Sequence, residues 1–325
     1  MARRAITALA AGLVLAGLAG CGTAPEAAAP GGGTDGFPIT ITDAMGQVTI
    51  PTKPVRVAAL DASYVDAAIA LEAQVVAFTA YRGIAGELPD YLGPDAQKYG
   101  KDAKSVGELS NPSLEAIAQA DPDLIVSAKV RHEQQHAQLQ GIAPTVFSAT
   151  TGPTWKENIR LLGKALGRPE MADAKIAAYE QRARRIGDAV RAKLGRNPTI
   201  SVVRFAGEPT VRLYSPTSFS GTVLTDAGFA LNPTATGVEA GKISANLSPE
   251  QIGALDADNI FVATWNDEKG ESAKQAEQFR SNPLWGTLKG KLQTVQDLTW
   301  MTAVGLQGAH VILDDIATTF EVPKE

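Results

Sequence analysis

The chain has 325 residues, of which 44% are hydrophobic and 20% charged, and its mean hydropathy is -0.05. This composition is typical of a folded soluble protein that is large enough for two lobes. The net charge of -5, without a cluster of lysines and arginines, argues against a nucleic-acid partner, and the single cysteine excludes an internal disulfide.

Residues 1–20 have the three parts of an export signal: two early arginines, an apolar stretch from Ala5 to Leu18, and small residues at the end. The apolar stretch is too short to span a bilayer comfortably. It ends in Leu18-Ala19-Gly20-Cys21, which resembles the bacterial lipobox, so we expect a lipoprotein signal peptide and a lipid on Cys21. An ordinary signal peptide with an incidental cysteine is the alternative. Lipidation implies an extracytoplasmic protein that reaches the membrane only through its lipid anchor.

Residues 21–36 are rich in alanine, proline and glycine, which predicts a flexible linker. From Phe37 onward, short apolar runs alternate with helical patterns, as in βαβ units with mostly parallel strands. The predicted strands are 55–60, 75–79, 123–128 and 145–149 in the first half, and 200–205, 211–215, 259–264 and 292–297 in the second.

Between the halves, residues 169–197 are dominated by alanine, lysine, arginine and glutamate, with Pro169 at the entry and Gly195 near the end. This pattern predicts one helix of about 25 residues, roughly 37 Å long, which would permit only small hinge motions. We therefore expect an α/β fold of two lobes, 37–168 and 198–325. Each lobe would have a mostly parallel sheet flanked by helices, and one long rigid helix would join them.

The two halves share an internal repeat. Residues 113–126, "SLEAIAQADPDLIV", align without a gap on residues 248–261, "SPEQIGALDADNIF". Each segment predicts a capped short helix, a turn and a buried strand, and the alignment puts Glu115 opposite Glu250. A generic helix–turn–strand unit, with each glutamate favoured by the helix dipole, is the alternative interpretation.

Several segments, in their order and spacing, resemble the helix-linked class of periplasmic substrate-binding proteins, which serves ABC importers of ferric siderophores, haem and cobalamin. They include "ITITDAMGQVTIPTKPVRVAAL", "LEAIAQADPDLIV", "FSGTVLTDAGF", "LSPEQIGALDADNIFV" and "NPLWGTLKGKLQTVQ". The resemblance covers nearly the whole mature chain. It implies a binding lipoprotein rather than an enzyme, with no cofactor, acting as a monomer beside an ABC permease.

By this resemblance, the ligand lies between the lobes, and each lobe offers one surface glutamate, Glu115 or Glu250, to the permease. Ligands of open α/β sheets bind beyond the carboxyl ends of the strands, where this sequence has arginines and aromatic residues. Such groups suit a bulky anionic or oxygen-rich ligand such as a ferric siderophore, whose chelator rather than the protein holds the iron. The candidate ligand-binding residues are Arg204, Arg82, Tyr81, Trp265, Trp155, Tyr214, Arg131 and Trp300.

Three alternatives stay open. Haem or cobalamin is the first alternative ligand. A zinc or manganese receptor is the second, because His132 and His136 are four residues apart and His310 is the only other histidine. An enzyme is the third, although the sequence has no Gly-x-Ser-x-Gly elbow and no Walker loop.

Overall fold

The computed structural model describes residues 36–82, 84 and 86–325. The predicted signal peptide, Cys21 and nearly all of the predicted linker lie outside the described residues. Within the described part of the chain, no helix has both the length and the apolar character that a membrane crossing requires.

The N-terminal lobe is built on a five-stranded, wholly parallel sheet in the order β5-β4-β3-β8-β9. Residues of the two central strands are almost all buried, because helices cover both faces of the sheet. Its elements are β1 (Ile39–Asp43), β2 (Gly46–Ile50), β3 (Arg56–Ala59), α1 (Ala62–Ala70), β4 (Gln74–Phe78), α2 (Pro94–Tyr99), β5 (Lys104–Ser105), β6 (Gly107–Glu108), β7 (Asn111–Pro112), α3 (Leu114–Gln119), β8 (Leu124–Ala128), α4 (Lys129–His132), α5 (His136–Gln140), β9 (Thr145–Ser148) and α6 (Trp155–Ala165).

The two lobes are joined by α7 (Pro169–Leu194), a single helix of 26 residues. It starts with proline at its first position and stops at Gly195, whose φ of +67° is a left-handed conformation that favours glycine. One side of α7 is buried against both lobes through Ile176, Tyr179, Ala183 and Val190, which recur at helical spacing. The predicted linking helix is therefore present: its 26 residues agree with the expected length of about 25, and it ends three residues before the end of the segment 169–197.

The C-terminal lobe has a six-stranded mixed sheet in the order β13-β11-β10-β14-β15, with β12 also paired to β10. Strand β11 runs antiparallel to both of its neighbours, β10 and β13. It follows β10 after a short loop that leaves no room for a crossover helix. The elements of this lobe are β10 (Thr199–Phe205), β11 (Val211–Tyr214), α8 (Phe219–Asp226), β12 (Ala230–Leu231), α9 (Pro233–Thr236), β13 (Ser244–Leu247), a 3₁₀ helix (Pro249–Leu255), β14 (Asn259–Thr264), α10 (Glu271–Ser281), β15 (Lys291–Val295) and α11 (Leu306–Phe320).

Contacts between the lobes extend beyond α7. The last helix, α11, packs against α1 of the N-terminal lobe, and α6 packs against α7 beside α8. One hydrophobic core therefore continues from lobe to lobe on the closed side of the molecule. On the other side, the loops that follow the strands leave a cleft.

Candidate ligand-binding cleft

The cleft encloses a cavity of about 820 Å³. Its wall comes from the loops that follow β4 in the N-terminal lobe and β10 and β14 in the C-terminal lobe, so it lies beyond the carboxyl ends of parallel strands. The lining residues are Ala80, Tyr81, Arg82, Ile84 and Glu108 from the N-terminal lobe, and Ala206, Gly207, Trp265, Asn266, Asp267, Glu268, Lys269 and Glu271 from the C-terminal lobe.

Arg82 and Trp265 meet across this cleft. The guanidinium carbon of Arg82 lies 5.8 Å from the centre of the Trp265 ring, within the range of a cation–π contact. The Trp265 backbone N–H donates to the carbonyl of Phe205 at 2.9 Å, which fixes the residue at the ends of β10 and β14. Its indole Nε1 is buried without a hydrogen-bond partner in the described residues. The structure thus brings together two of the predicted residues, one from each lobe.

Tyr81 also lines the cavity, although most of its side chain is buried. Its hydroxyl lies 3.4 Å from the hydroxyl of Tyr91 and donates to the carbonyl of Ala62 at 3.5 Å. Burial raises the pKa of Tyr81 well above its ordinary value of 10. Tyr81 is therefore a neutral phenol at physiological pH, able to pack against a ligand but not to bind it as an anion.

Arg204 does not line this cavity, and its side chain is engaged within the C-terminal lobe. The residue is 7% exposed, and its Nε and Nη2 donate to the two carboxylate oxygens of Asp297 at 2.6 and 2.8 Å. Nη1 also donates to the hydroxyl of the buried Tyr214 at 3.5 Å. Burial alone would lower the pKa of Arg204, but Tyr214 and Asp297 raise it, so the group stays cationic. In this arrangement neither Arg204 nor Tyr214 reaches the cavity surface.

Arg131 is likewise paired inside its own lobe. Its Nε donates to Asp61 at 2.9 Å, and the same carboxylate accepts the backbone N–H of Ser63 at 2.9 Å, which caps α1. Arg131 is partly exposed but is not among the residues that line the cavity. A ligand would have to compete with Asp61 for this guanidinium.

The structure corrects the prediction for Trp155 and Trp300, which lie in the core instead of at the cleft. Trp155 is 1% exposed and packs edge-on against Tyr179 and Phe219, with ring centres 5.1 and 5.8 Å apart. Trp300 is 0% exposed and stacks on Phe261 at 4.7 Å, while its Nε1 donates to Asp315 at 2.8 Å. Neighbouring helices and strands cover both rings, so neither ring has a face that a ligand could contact.

Sequence reasoning identified Trp265 in the loop after β14 but missed the rest of that loop. Asp267 accepts the backbone N–H groups of Glu271 at 2.8 Å and Ser272 at 2.7 Å, so it caps the start of α10. These hydrogen bonds lower the pKa of Asp267 to about 2. The cap holds Lys269 and Glu268 at the cavity wall. The signal was an aspartate four residues before a helical pattern, directly after a predicted strand.

The histidines do not converge. Residues 132–136 read His-Glu-Gln-Gln-His, a spacing that zinc hydrolases use on one helix, but here a 3₁₀ turn separates α4 from α5. Both ring nitrogens of His132 are engaged, with Ser127 Oγ and the carbonyl of Leu109, each at 2.7 Å. His136 instead packs on Phe147. Within residues 36–82, 84 and 86–325, no three histidine, cysteine, aspartate or glutamate side chains are grouped to hold a metal.

Glu115 and Glu250 occupy equivalent positions in their lobes. Each is exposed and is the second residue of a helix, α3 for Glu115 and the 3₁₀ helix Pro249–Leu255 for Glu250. Ser113 and Ser248 are the respective caps, and the helices lead into β8 and β14, which lie inside their sheets. The repeat found in the sequence is thus a structural repeat.

Comparisons with known proteins agree with this architecture. The sequence profile described as periplasmic binding protein matches residues 57–290. The chain is 37% identical over 297 residues to the probable siderophore-binding lipoprotein YfiY of Bacillus subtilis (strain 168), covering 86% of this chain and 87% of that protein. It is 31% identical over 218 residues to the achromobactin-binding periplasmic protein of Dickeya dadantii (strain 3937), covering 65% and 70%.

Among solved structures, Staphylococcus aureus SirA complexed with staphyloferrin B superposes with a TM-score of 0.79 at 29% identity. The match covers 88% of this chain and 100% of that chain. The profile match over most of the chain leads to the same family as the two α/β lobes and their linking helix. The chain therefore belongs to the periplasmic binding protein family.

Proposed function

We propose that this protein captures a ferric siderophore between its lobes and delivers it to the permease of an ABC importer. The observation that carries the proposal is the cavity of about 820 Å³, whose wall comes from strand-end loops of both lobes. This volume lies in the range of about 300 to 1000 Å³ that is usual for small-molecule sites. The similarity to a probable siderophore-binding lipoprotein, to an achromobactin-binding protein and to SirA complexed with staphyloferrin B supports the choice of ligand.

The chemistry of the cavity wall supports an iron chelate as cargo. Arg82 and Lys269 supply positive charge for anionic chelator oxygens, and the faces of Trp265 and Tyr81 suit its apolar surface. Glu108, from the N-terminal lobe, can accept hydrogen bonds from hydroxyl or amide groups of the chelator. In this proposal, the siderophore supplies every iron ligand and the protein grips the chelate.

We also propose that a lipid anchor holds the protein at the membrane. A signal peptide of residues 1–20 would be removed, Cys21 would carry the lipid, and residues 21–36 would tether a monomeric two-lobed domain outside the cytoplasm. The proposed boundaries of the lobes are 37–168 and 198–325. The lipid anchor would keep the receptor beside its permease, and the permease would dock on Glu115 and Glu250.

Titration of the purified chain tests the ligand. Ferric citrate, a ferric hydroxamate, a ferric catecholate, haem, cobalamin and a zinc salt would be added in turn while tryptophan fluorescence and binding heat are recorded. We expect at least one ferric siderophore to bind and to quench fluorescence, because Trp265 lines the cavity. Binding of haem, cobalamin or zinc, with no response to any ferric chelate, would contradict the proposal.

A matched pair of variants locates the response. Trp265→Phe should remove most of the quenching, while Trp285→Phe should leave it, because Trp285 is buried against Phe205 away from the cavity. Equal quenching in both variants would place the ligand outside this cleft.

A further inference from the structure

A buried carboxylate lies where the two lobes meet. Asp66, in the second turn of α1 of the N-terminal lobe, is 0% exposed. Its two oxygens accept the backbone N–H groups of Gln307 at 3.2 Å and Gly308 at 3.1 Å, which belong to the first turn of α11 in the C-terminal lobe. One side chain of one lobe therefore holds the start of a 15-residue helix of the other.

Asp66 takes the place of a cap that α11 lacks. The residue before the helix, Gly305, has no side chain to accept the free N–H groups of the first turn. A Cβ atom at Gly305 would overlap the Asp66 carboxylate, so the glycine lets the two elements approach closely. In the orientation that satisfies its amide, Gln307 also donates from its side chain to the Asp66 carboxylate and, at 3.2 Å, to the Asp66 carbonyl.

We propose that Asp66 is a positioning residue whose carboxylate, by holding the first turn of α11, fixes the angle between the lobes and is released by protonation. That this angle sets the width of the ligand-binding cleft rests on the proposed function. The link between Asp66 and the cleft is Tyr81, which lines the cavity and whose hydroxyl lies in the same buried group of side chains.

The surroundings of Asp66 contain other acids but no cation in the described residues that pairs with it. Tyr81 and Tyr91 face it from the segment after β4, and Asp61, which caps the start of α1, is paired with Arg131. Burial raises the pKa of both tyrosines, so they stay neutral. Because it is buried and has no paired cation, the Asp66 carboxylate is easier to protonate than an exposed one.

Burial raises the pKa of Asp66 to about 7, although the N–H groups of α11 act in the opposite direction. The charged form accepts two backbone hydrogen bonds, whereas a protonated carboxyl has one oxygen fewer to offer. Because the N–H groups of α11 favour the charged form, acidification through neutral pH weakens the contact between α1 and α11 while Asp66 remains buried among its neighbours.

A second contact between the lobes does not involve Asp66. Lys156 of α6 donates to both oxygens of Asp226 in α8 and to Glu180 of α7, each at 3.0 Å. Burial alone would lower the pKa of Lys156, but its hydrogen bonds to Glu180 and Asp226 raise it, so the lysine stays charged. Loss of the Asp66 contact with retention of the Lys156 contact would let the lobes rotate relative to each other.

The test measures the distance between lobes in protein without ligand. Cys21→Ser removes the only native cysteine, and Lys101→Cys and Lys289→Cys place one label on an exposed residue of each lobe. We expect the distance between labels to shift between pH 5.5 and pH 8. With Asp66→Asn, the distance should be the same at both pH values and equal to that of the parent at pH 5.5.

Two further variants keep the test decisive. Asp95→Asn, the same change at an exposed position of α2, should retain the shift of the parent. Gln307→Ala removes one donor to the carboxylate, so it should move the midpoint of the shift to higher pH, and it serves if Asp66→Asn fails to fold. A shift that persists in Asp66→Asn, or no shift in the parent, overturns the proposal. Because no ligand is present, neither result depends on which molecule the cleft binds.

Discussion

At the scale of single residues, Arg204 and Asp297 form a buried ion pair near the carboxyl end of β10, and both side chains are 8% exposed. Arg204→Ala leaves the Asp297 carboxylate buried without its partner. Removing one member of a buried pair costs about 3–5 kcal/mol, so we expect a fall of that size in the free energy of unfolding. Urea denaturation at pH 7 measures it.

The exposed pair of Lys242 and Glu239, with Nζ and Oε2 2.7 Å apart, is the control. Lys242→Ala should leave the free energy of unfolding nearly unchanged, because exposed pairs contribute little. If Arg204→Ala kept full stability but weakened binding of an anionic chelate, the ligand-contacting role predicted from the sequence would stand instead of the structural one.

Residue types alone could indicate that Arg204 needs a partner, because it interrupts an apolar strand. They could not identify Asp297, which is 93 residues away in the chain. Nor could they separate Trp265, at the cavity, from Trp155, in the core, since a tryptophan after an apolar run suits both environments.

At the scale of elements, the repeated helices that carry Glu115 and Glu250 make a prediction about transport. Replacing both glutamates with alanine should leave siderophore affinity unchanged and abolish uptake, because both side chains are exposed at equivalent places in the two lobes and neither lines the cavity. Binding of labelled ferric siderophore to the purified protein, and its uptake by cells, measure the two effects.

Glu157 and Glu170 provide the matched control. Each is an exposed glutamate in the first turn of another helix, α6 or α7, with the same favourable position relative to the helix dipole. Their double replacement should affect neither binding nor uptake. Normal uptake without Glu115 and Glu250 would reduce both residues to their capping role.

Most strands were predictable from apolar runs to within a residue or two, because a sheet buried on both faces leaves a continuous apolar signal. Helix α6 was missed although its buried residues Trp155, Ile159 and Leu162 follow helical spacing. Its first residue, Trp155, is one of the tryptophans that the sequence suggests as ligand-binding. The spacing, and not the residue type, was the informative signal.

At the scale of the whole molecule, the sequence predicted two lobes and a linking helix but not the return of α11 to the N-terminal lobe. The hydrogen bond from Gln307 to Asp66 joins residues 241 positions apart, and no local pattern indicates such a contact. This return places Asp66 against the first turn of α11, and α11 itself carries a second titratable group, His310, which packs on Tyr179 of α7. The pKa values of Asp66 and His310 are shifted in opposite directions relative to the unfolded chain.

These shifts predict opposite effects of pH on stability. Asp66, with its pKa raised to about 7, binds more protons folded than unfolded, so its contribution to the free energy of unfolding falls as pH rises from about 4 to 7. His310 has its pKa lowered to about 4 by burial and by Arg182. It binds fewer protons folded, so its contribution rises between about pH 4 and 6.5.

Urea denaturation at pH 4.5 and pH 6.5 separates the two groups. Measured against the parent, Asp66→Asn should gain stability as pH rises and His310→Gln should lose it, each by up to about 1.4 kcal/mol per pH unit, the value for one proton. Asp95→Asn, at an exposed site, should follow the parent. The protons bound at Asp66 and His310 affect the free energy of unfolding, relative to the parent, with opposite signs. Parallel pH profiles for all three variants would therefore mean that the α11 interface contributes no pH dependence.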